Sequence, residues 1–482
     1  MSKEKKDNII WHYYIVELLK KNYPFIVGFF GLLIYLLPRE SMCDVSGDAA
    51  DIWKTITTMG TDDVYGSYVL YKGFCSVYPF VWLYKVAVLL SFNEWFFIKV
   101  FYAVSFSYIT SIGFPRLVRS MTGCVIKEYQ ELLVVIICFW LWFPNGAMTQ
   151  FMVDLPCLMY FILLINSVFR IKNGADLFEY LWCGFCLGLC LCASGQYTLP
   201  ALCILMMLII QEFKRMRKKA KEFSVIKCFT LVACSTGVKM YNIYFLDSFV
   251  EGLRQKGAWI IKAGDWLSIS YSRFMNSYRT GGLASTIQAT RTRAIYKSYF
   301  GSQFDGLEEL MLQGGYGMSI LDYLKMFFKY PIDFCLCYFN SLVLCLTPDG
   351  GGFHFARIFV FYTLFFITLY IVYSKCKRVK DIFNCKLWIV IAFLTALIPL
   401  LLGNIEQRMC MQIQGLIIGV AICDDTLWNR VKNLKVKNNF MNFQLNYSLV
   451  GYILFIIIGF AYIGLLYEFS GAENINDILI SW

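Results

Sequence analysis

A polytopic, all-α membrane fold of about 11 transmembrane helices is the class this sequence predicts, and three observations predict it. Of 482 residues, 58% are hydrophobic and only 16% charged, and the mean hydropathy of +0.57 lies outside the range of soluble domains. Apolar runs of roughly the 17 to 25 residues that cross a bilayer recur along almost the whole chain. The basic residues behind a net charge of +11 sit in short connections between those runs, among them Lys214 to Lys221 (KRMRKKAK) and Lys375 to Lys380 (KCKRVK). That pattern is orientation by positive cytoplasmic loops, facing anionic headgroups, and not a nucleic-acid surface.

In chain order, the basic N-terminal segment is expected in the cytoplasm, and the first run, about 22–37, crosses outward; it is too long for a cleaved signal peptide. An acidic, aromatic stretch follows, Cys43 to Leu83, with Asp44, Asp48, Asp51, Asp62 and Asp63 among Trp53, Tyr65, Tyr68, Tyr71 and Tyr78. It reads as the first external loop. The apolar run 77–92 is short and carries Lys85 at its centre, which suits a helix lying in the membrane interface. Further spans are expected at about 94–114, 131–146, 150–169, 180–193, 197–211 and 223–245, the last interrupted by Lys227 and Lys239. From 246 to 353 the chain turns polar, aromatic and Gly-rich, a second external region with amphipathic helices such as 321–328. Its apolar piece 334–346 is either interfacial or a crossing. Spans at about 356–373, 387–402, 409–423 and 447–466 complete the set and place the C-terminus outside.

The 19 cysteines do not form a secreted disulfide framework, because most lie inside apolar runs such as CGFCLGLCLC, where a thiol behaves as a small apolar group. Cys43 and Cys75 share the first external loop, so one disulfide is open there. With two histidines in the chain, a structural metal cluster is not expected; no cofactor is assigned, and a divalent ion assisting the acids stays open.

Asp48 and Asp51 are three apart in SGDAADIW. On a helix capped by Ser46 they share a face at the membrane boundary, where a carboxylate serves as a general base; the bland alternative is a loop kept wet by its acids. Asp154 at the end of a span faces the protein interior rather than lipid. Arg408 either snorkels or binds phosphate, and Lys85 either anchors the interface or adds a second cation. Arg273, Arg279, Arg291 and Arg293 in the large loop offer charge for an anionic glycan.

The order of these features resembles the GT-C superfamily of membrane glycosyltransferases, in particular bacterial protein O-mannosyltransferases and aminoarabinose transferases. GDAADIW matches the acid after the first span, with Ala49 where a second acid is usual. Lys72-Gly73 and Tyr78-Pro79-Phe80 resemble the stretch before the interfacial helix, and Asn93-Glu94 the turn opening the second span, with Lys99 where Arg is more usual. QFMVDLP places Asp154 before the fourth span, and Glu406-Gln407-Arg408-Met409 resembles the acid-x-Arg-aromatic element of a late span, with Met409 in the aromatic position.

The resemblance implies an enzyme of the bacterial inner membrane, active on the external side. It would move a sugar from a polyprenyl-phosphate donor to a glycan, lipid or protein acceptor. Asp48 and Asp51 would be catalytic, Arg408 and Lys85 would hold the donor phosphate, and Asp154, Glu406 and Tyr78 would touch substrate. The chain then divides into an N-terminal module, 1–245, whose first external loop (39–93) is catalytic, a large external region, 246–353, and C-terminal helices, 354–482. A polysaccharide polymerase or ligase working through the large-loop arginines is the alternative, and a lipid-linked glycan transporter is a third reading.

Overall fold

The computed structural model describes residues 21–42, 48–58, 74–143, 148, 151–172, 176–193, 195–216, 221–255, 283–312, 319–335, 355–375, 385–397, 407–425 and 457. The protein is mostly helical, with no strand among the described residues. Among the described residues three helices are long and apolar enough to cross a membrane: Phe96–Thr122, Asp154–Ile171 and Gln196–Lys214. Shorter apolar helices include Lys21–Leu36, Cys75–Leu89 and Met411–Cys423. The segment 447–466 and most of 334–346 lie outside the described residues.

The first helix, α1, is Lys21–Leu36. Then α2, Asp48–Thr58, begins at the first of the paired acids; the Ser46 cap lies outside the described residues. Ala49, Ile52 and Ile56 are buried, the 3- and 4-residue spacing of one helical face. Next, α3, Phe74–Leu89, covers the stretch expected to lie in the interface. Its 16 residues span about 24 Å, short of a hydrocarbon core of about 30 Å. Ser91 ends it in the left-handed region at φ 56°, with Phe92 N–H returning to the Ala87 carbonyl at 2.9 Å, a helix stop that glycine usually supplies.

The helix expected to end near Phe114 runs on to Thr122. Its segments α4, Phe96–Ser107, and α5, Phe114–Thr122, join through a π-helical turn, Tyr108–Gly113. Pro115 sits in the first turn of α5, where its missing N–H costs little. Then come α6, Glu128–Trp142; α7, Asp154–Lys172; α8, Leu177–Ala193; and α9, Gly195–Met216. The long α10, Lys221–Gln255, absorbs both lysines expected to interrupt it. The Lys227 ammonium lies 5.2 Å from the Tyr180 ring centroid, and Lys239 Nζ donates to the Leu191 carbonyl at 3.2 Å. Each cation gains a π face or a helix C-terminal carbonyl in place of water.

In the remaining chain, α11, Leu283–Phe300, α12, Phe304–Leu312, and α13, Ile320–Lys329, enclose a small core of their own, formed by Ile295, Tyr296, Phe304, Met311, Met326 and Phe334. The expected amphipathic helix at 321–328 is α13. Ser319 caps it, its Oγ accepting the Leu321 N–H at 3.1 Å. Finally, α14, Phe355–Lys375, α15, Cys385–Thr395, and α16, Met411–Cys423, rejoin the main bundle. There α16 packs on α5, α6 and α14, and α15 packs on α9.

The largest interface joins α8 to α10. It rests on two glycines one helical turn apart. A Cβ at Gly184 would stand 2.7 Å from the Leu231 carbonyl oxygen, and one at Gly188 would stand 2.6 Å from Val238 Cβ. This is close packing through small residues at i and i+4, the mode that holds helices together where burial from water drives nothing. Cys75, a free thiol, is buried beside this pair, 4.0 Å from Asn242 Oδ1 on α10.

Candidate functional site

The helix carrying Asp48 and Asp51 is fixed by aromatic packing. Trp53 of α2 stacks on Trp95, with centroids 3.8 Å apart, and meets Tyr84 of α3 and Phe151 edge-on at 5.5 and 6.3 Å. Phe151 in turn packs against Phe80 at 5.0 Å and Trp95 at 5.3 Å. Each such pair contributes about 0.5–1.5 kcal/mol beyond its buried area. The backbone closes the same cluster, Phe151 N–H donating to the Met42 carbonyl at 2.8 Å. The carboxylate helix is thereby set against the segment that leads into α7.

That segment has a second anchor. The Tyr102 hydroxyl accepts the Met152 N–H at 2.7 Å and donates to the Met152 carbonyl. Two residues later Asp154 opens α7, only 6% exposed. A carboxylate there meets the positive end of the helix dipole. One turn on, the Cys157 thiol reaches the Ala193 carbonyl at 3.7 Å, at the end of α8. Past the α8–α9 junction, Gln196 Nε2 donates to the Met409 carbonyl at 2.6 Å. Met409 belongs to a 3₁₀ turn, Gln407–Cys410, that leads into α16. Buried Tyr197 lies within electrostatic reach of Asp154, Cys157 and Cys410 together. The turn of Asp154 and the turn of Arg408 are therefore neighbours across the α8–α9 junction.

Asp48, Asp51 and Arg408 are placed by their backbone alone. Positions 48 and 51 are helical and three apart, on one side of α2; Arg408 lies within the 3₁₀ turn. Glu406 lies outside the described residues. Lys85 is exposed on α3. Tyr78 is half-buried on the same helix, within hydrogen-bonding reach of Tyr241 on α10. The structure thus gathers the elements of Asp48, Asp51, Asp154 and Arg408, and leaves Lys85 and Tyr78 outside the aromatic cluster. Among the described residues no three His, Cys, Asp or Glu side chains group as metal ligands.

Two polar residues at the site take their setting from the structure: Lys99, which the sequence marks only as a lysine where arginine is more usual, and Gln412, which it does not mark. Lys99, one turn past Trp95 on the same face of α4, is 3% exposed and donates to the Arg39 carbonyl. Its signal was a lone lysine in an apolar helix. Gln412, four residues after Arg408, is fully buried, and neither Nε2 nor Oε1 has a hydrogen-bond partner among the described residues. Orphaned amides of this kind are rare in native interiors. Gln412→Met is expected to raise stability by about 1–3 kcal/mol, read as a higher melting temperature in detergent, since it removes two unmet polar atoms at similar volume. No family model, curated protein or solved structure matches the chain.

Proposed function

We propose that the chain is a membrane glycosyltransferase of the GT-C kind, moving a sugar from a polyprenyl-phosphate donor to an acceptor on the external face of a bacterial inner membrane. The observation that carries the reading is the convergence of three segments distant in sequence. Trp53–Phe151 packing joins the Asp48 helix to the Asp154 turn, and the Cys157–Ala193 and Gln196–Met409 bonds join that turn to Arg408. Elements that carry carboxylates and a guanidinium, joined by these contacts, suit a lipid-linked anionic substrate.

In this reading Asp48 or Asp51 accepts the proton of an acceptor hydroxyl or amine. The acceptor lone pair attacks the anomeric carbon as the bond from that carbon to the phosphate oxygen breaks. The bonding pair leaves with polyprenyl phosphate, and the anomeric centre inverts. Because phosphate is already a competent leaving group, departure needs charge stabilisation more than protonation, and Arg408 supplies it through paired N–H donors. Asp154, buried at the mouth of α7, holds a sugar hydroxyl. Gln412, one turn beyond Arg408, offers its amide to the same substrate.

The polymerase alternative loses one of its residues to structure. Arg293 forms a bidentate ion pair with Glu308, at 2.8 and 3.0 Å, and its guanidinium lies 5.5 Å from the Phe304 ring centroid. This arginine ties α11 to α12. To test the transferase reading, purified protein in proteoliposomes is incubated with lipid-linked sugars and acceptors extracted from host membranes, and free polyprenyl phosphate is followed by mass spectrometry. Release above that of protein-free vesicles is expected. Release equal to theirs rejects the reading.

A further inference from the structure

Two buried thiols from distant parts of the chain meet where α3, α8 and α10 converge. Cys75 is the second residue of α3, and Cys192 the last but one of α8. Both are free, 9% and 4% exposed. The Cys75 thiol donates to Asn242 Oδ1 at 4.0 Å, and the Cys192 thiol to the Val238 carbonyl at 3.9 Å. Val238 and Asn242 lie four apart on α10, so one face of that helix holds both sulfur atoms within a single turn. The thiols are also hydrogen-bonding neighbours of each other. Gly188 against Val238 fixes the register of α8 on α10, and with it the place of Cys192.

A cation stands beside the pair. Lys239 Nζ is held by the carbonyl of Leu191, the residue before Cys192, and lies within electrostatic reach of both thiols. The thiolate is the reactive form of cysteine, and an adjacent ammonium is the setting that favours it. The position bears on the candidate site as well. Phe80 and Tyr84 of α3 brace Phe151 and Trp53, and α8 ends at Ala193, whose carbonyl accepts the Cys157 thiol beside the Asp154 turn. The thiol pair thus lies between the helix that steadies α2 and the junction that joins the turns of Asp154 and Arg408.

We propose that Cys75 and Cys192 form a redox-modification site, closed to a disulfide by a disulfide oxidant. The Cys75 thiolate, the more exposed of the two, attacks one sulfur of the oxidant and expels the other as a thiolate. The Cys192 thiolate then attacks the Cys75 sulfur of the mixed disulfide, which forms the bond between them and expels the second thiolate. The protein gives up two protons and two electrons, and the oxidant leaves as two thiols. The new bond ties α3 to α8 and restricts the unfolded chain. Under the transferase reading these helix ends face the external, oxidising side; the pairing itself does not rest on that reading.

The test is peptide mapping by mass spectrometry after free thiols are blocked with N-ethylmaleimide in denaturant. It is applied to the full chain in detergent, poised in glutathione buffers from reducing to oxidising, and to membranes harvested from the native host. A linked peptide joining Cys75 to Cys192 is expected in the oxidising buffers and in the membranes, and dithiothreitol should abolish it. In Cys75→Ala and Cys192→Ala the remaining thiol should carry maleimide. Oxidised wild type is expected to melt several degrees above the reduced protein, a difference absent from Cys75→Ala/Cys192→Ala. Maleimide on both thiols in every buffer, or a linked peptide joining Cys75 to Cys43 or Cys157 instead, overturns the site and leaves the transferase reading standing. A pair that closes in buffer yet is fully reduced in native membranes upholds the site and overturns the external placement of this end of the bundle.

Discussion

Replacing Asp48 and Asp51 together by Asn is expected to slow sugar transfer by about 10²- to 10⁴-fold, the usual contribution of a positioned general base. The helix should survive the change. Ala49, Ile52 and Ile56 bury one face of α2, and Trp53 locks it onto Trp95 and Phe151; none of these contacts uses a carboxylate. Asn also suits the first turn of a helix. The expected signature is therefore a lost rate at an unchanged melting temperature. The single variants then assign the base, because the residue that acts should account for nearly the whole loss. If the double variant keeps its rate while Asp154→Asn loses it, the proton acceptor lies at the mouth of α7 instead of on α2.

The largest structural effect is expected at the α8–α10 interface. Leu at both Gly184 and Gly188 drives side chains into space already held by the Leu231 backbone and by Val238, with no room for either to yield. Overpacking of this kind costs about 1–3 kcal/mol per site, and more where backbone must move. Separation of the two helices also breaks the bond from Lys239 to Leu191 and the contact of the Cys192 thiol with the Val238 carbonyl. The double variant is expected to lose a large share of its stability, seen as a markedly lower melting temperature in detergent. Gly188→Ala, which meets only side-chain atoms of Val238, should fall between it and wild type. Wild-type melting of the Gly184→Leu/Gly188→Leu protein would show that the helices do not depend on this close approach.

The elements that were legible in the sequence are those whose cause is local. A short apolar run with a central lysine is α3, and an acid-rich stretch ending in an apolar period is α2. The amphipathic stripe at 321–328 is α13. What escaped has causes far away in the chain. The helix α10 runs to Gln255, past the 245 expected where the chain turns polar, and Lys227 and Lys239 look like breaks until Tyr180 and Leu191 are placed beside them. The cysteines of CGFCLGLCLC were visible as small apolar residues, yet the glycines between them acquire meaning only from Leu231 and Val238. Within the candidate site, aspartates and an arginine stood out by residue type. Lys99 stood only as a lysine where arginine is more usual, and Gln412 did not stand out, because a buried lysine is recognised only when its neighbours are known, and a glutamine only when its amide is seen to lack a partner among the described residues. No periodicity in the sequence joins 53 to 151 or 196 to 409, although those contacts assemble the site.

The most direct test of the transferase account is mass spectrometry of surface glycans and glycolipids from three strains of the native host: intact, deleted for this protein, and carrying Asp48→Asn/Asp51→Asn at normal protein levels. The account predicts that one defined sugar disappears in both altered strains while the remaining glycan is unchanged. A glycan of intact composition in the substituted strain, with the deletion altering only chain length, would contradict it and move the chemistry to the polymerase reading.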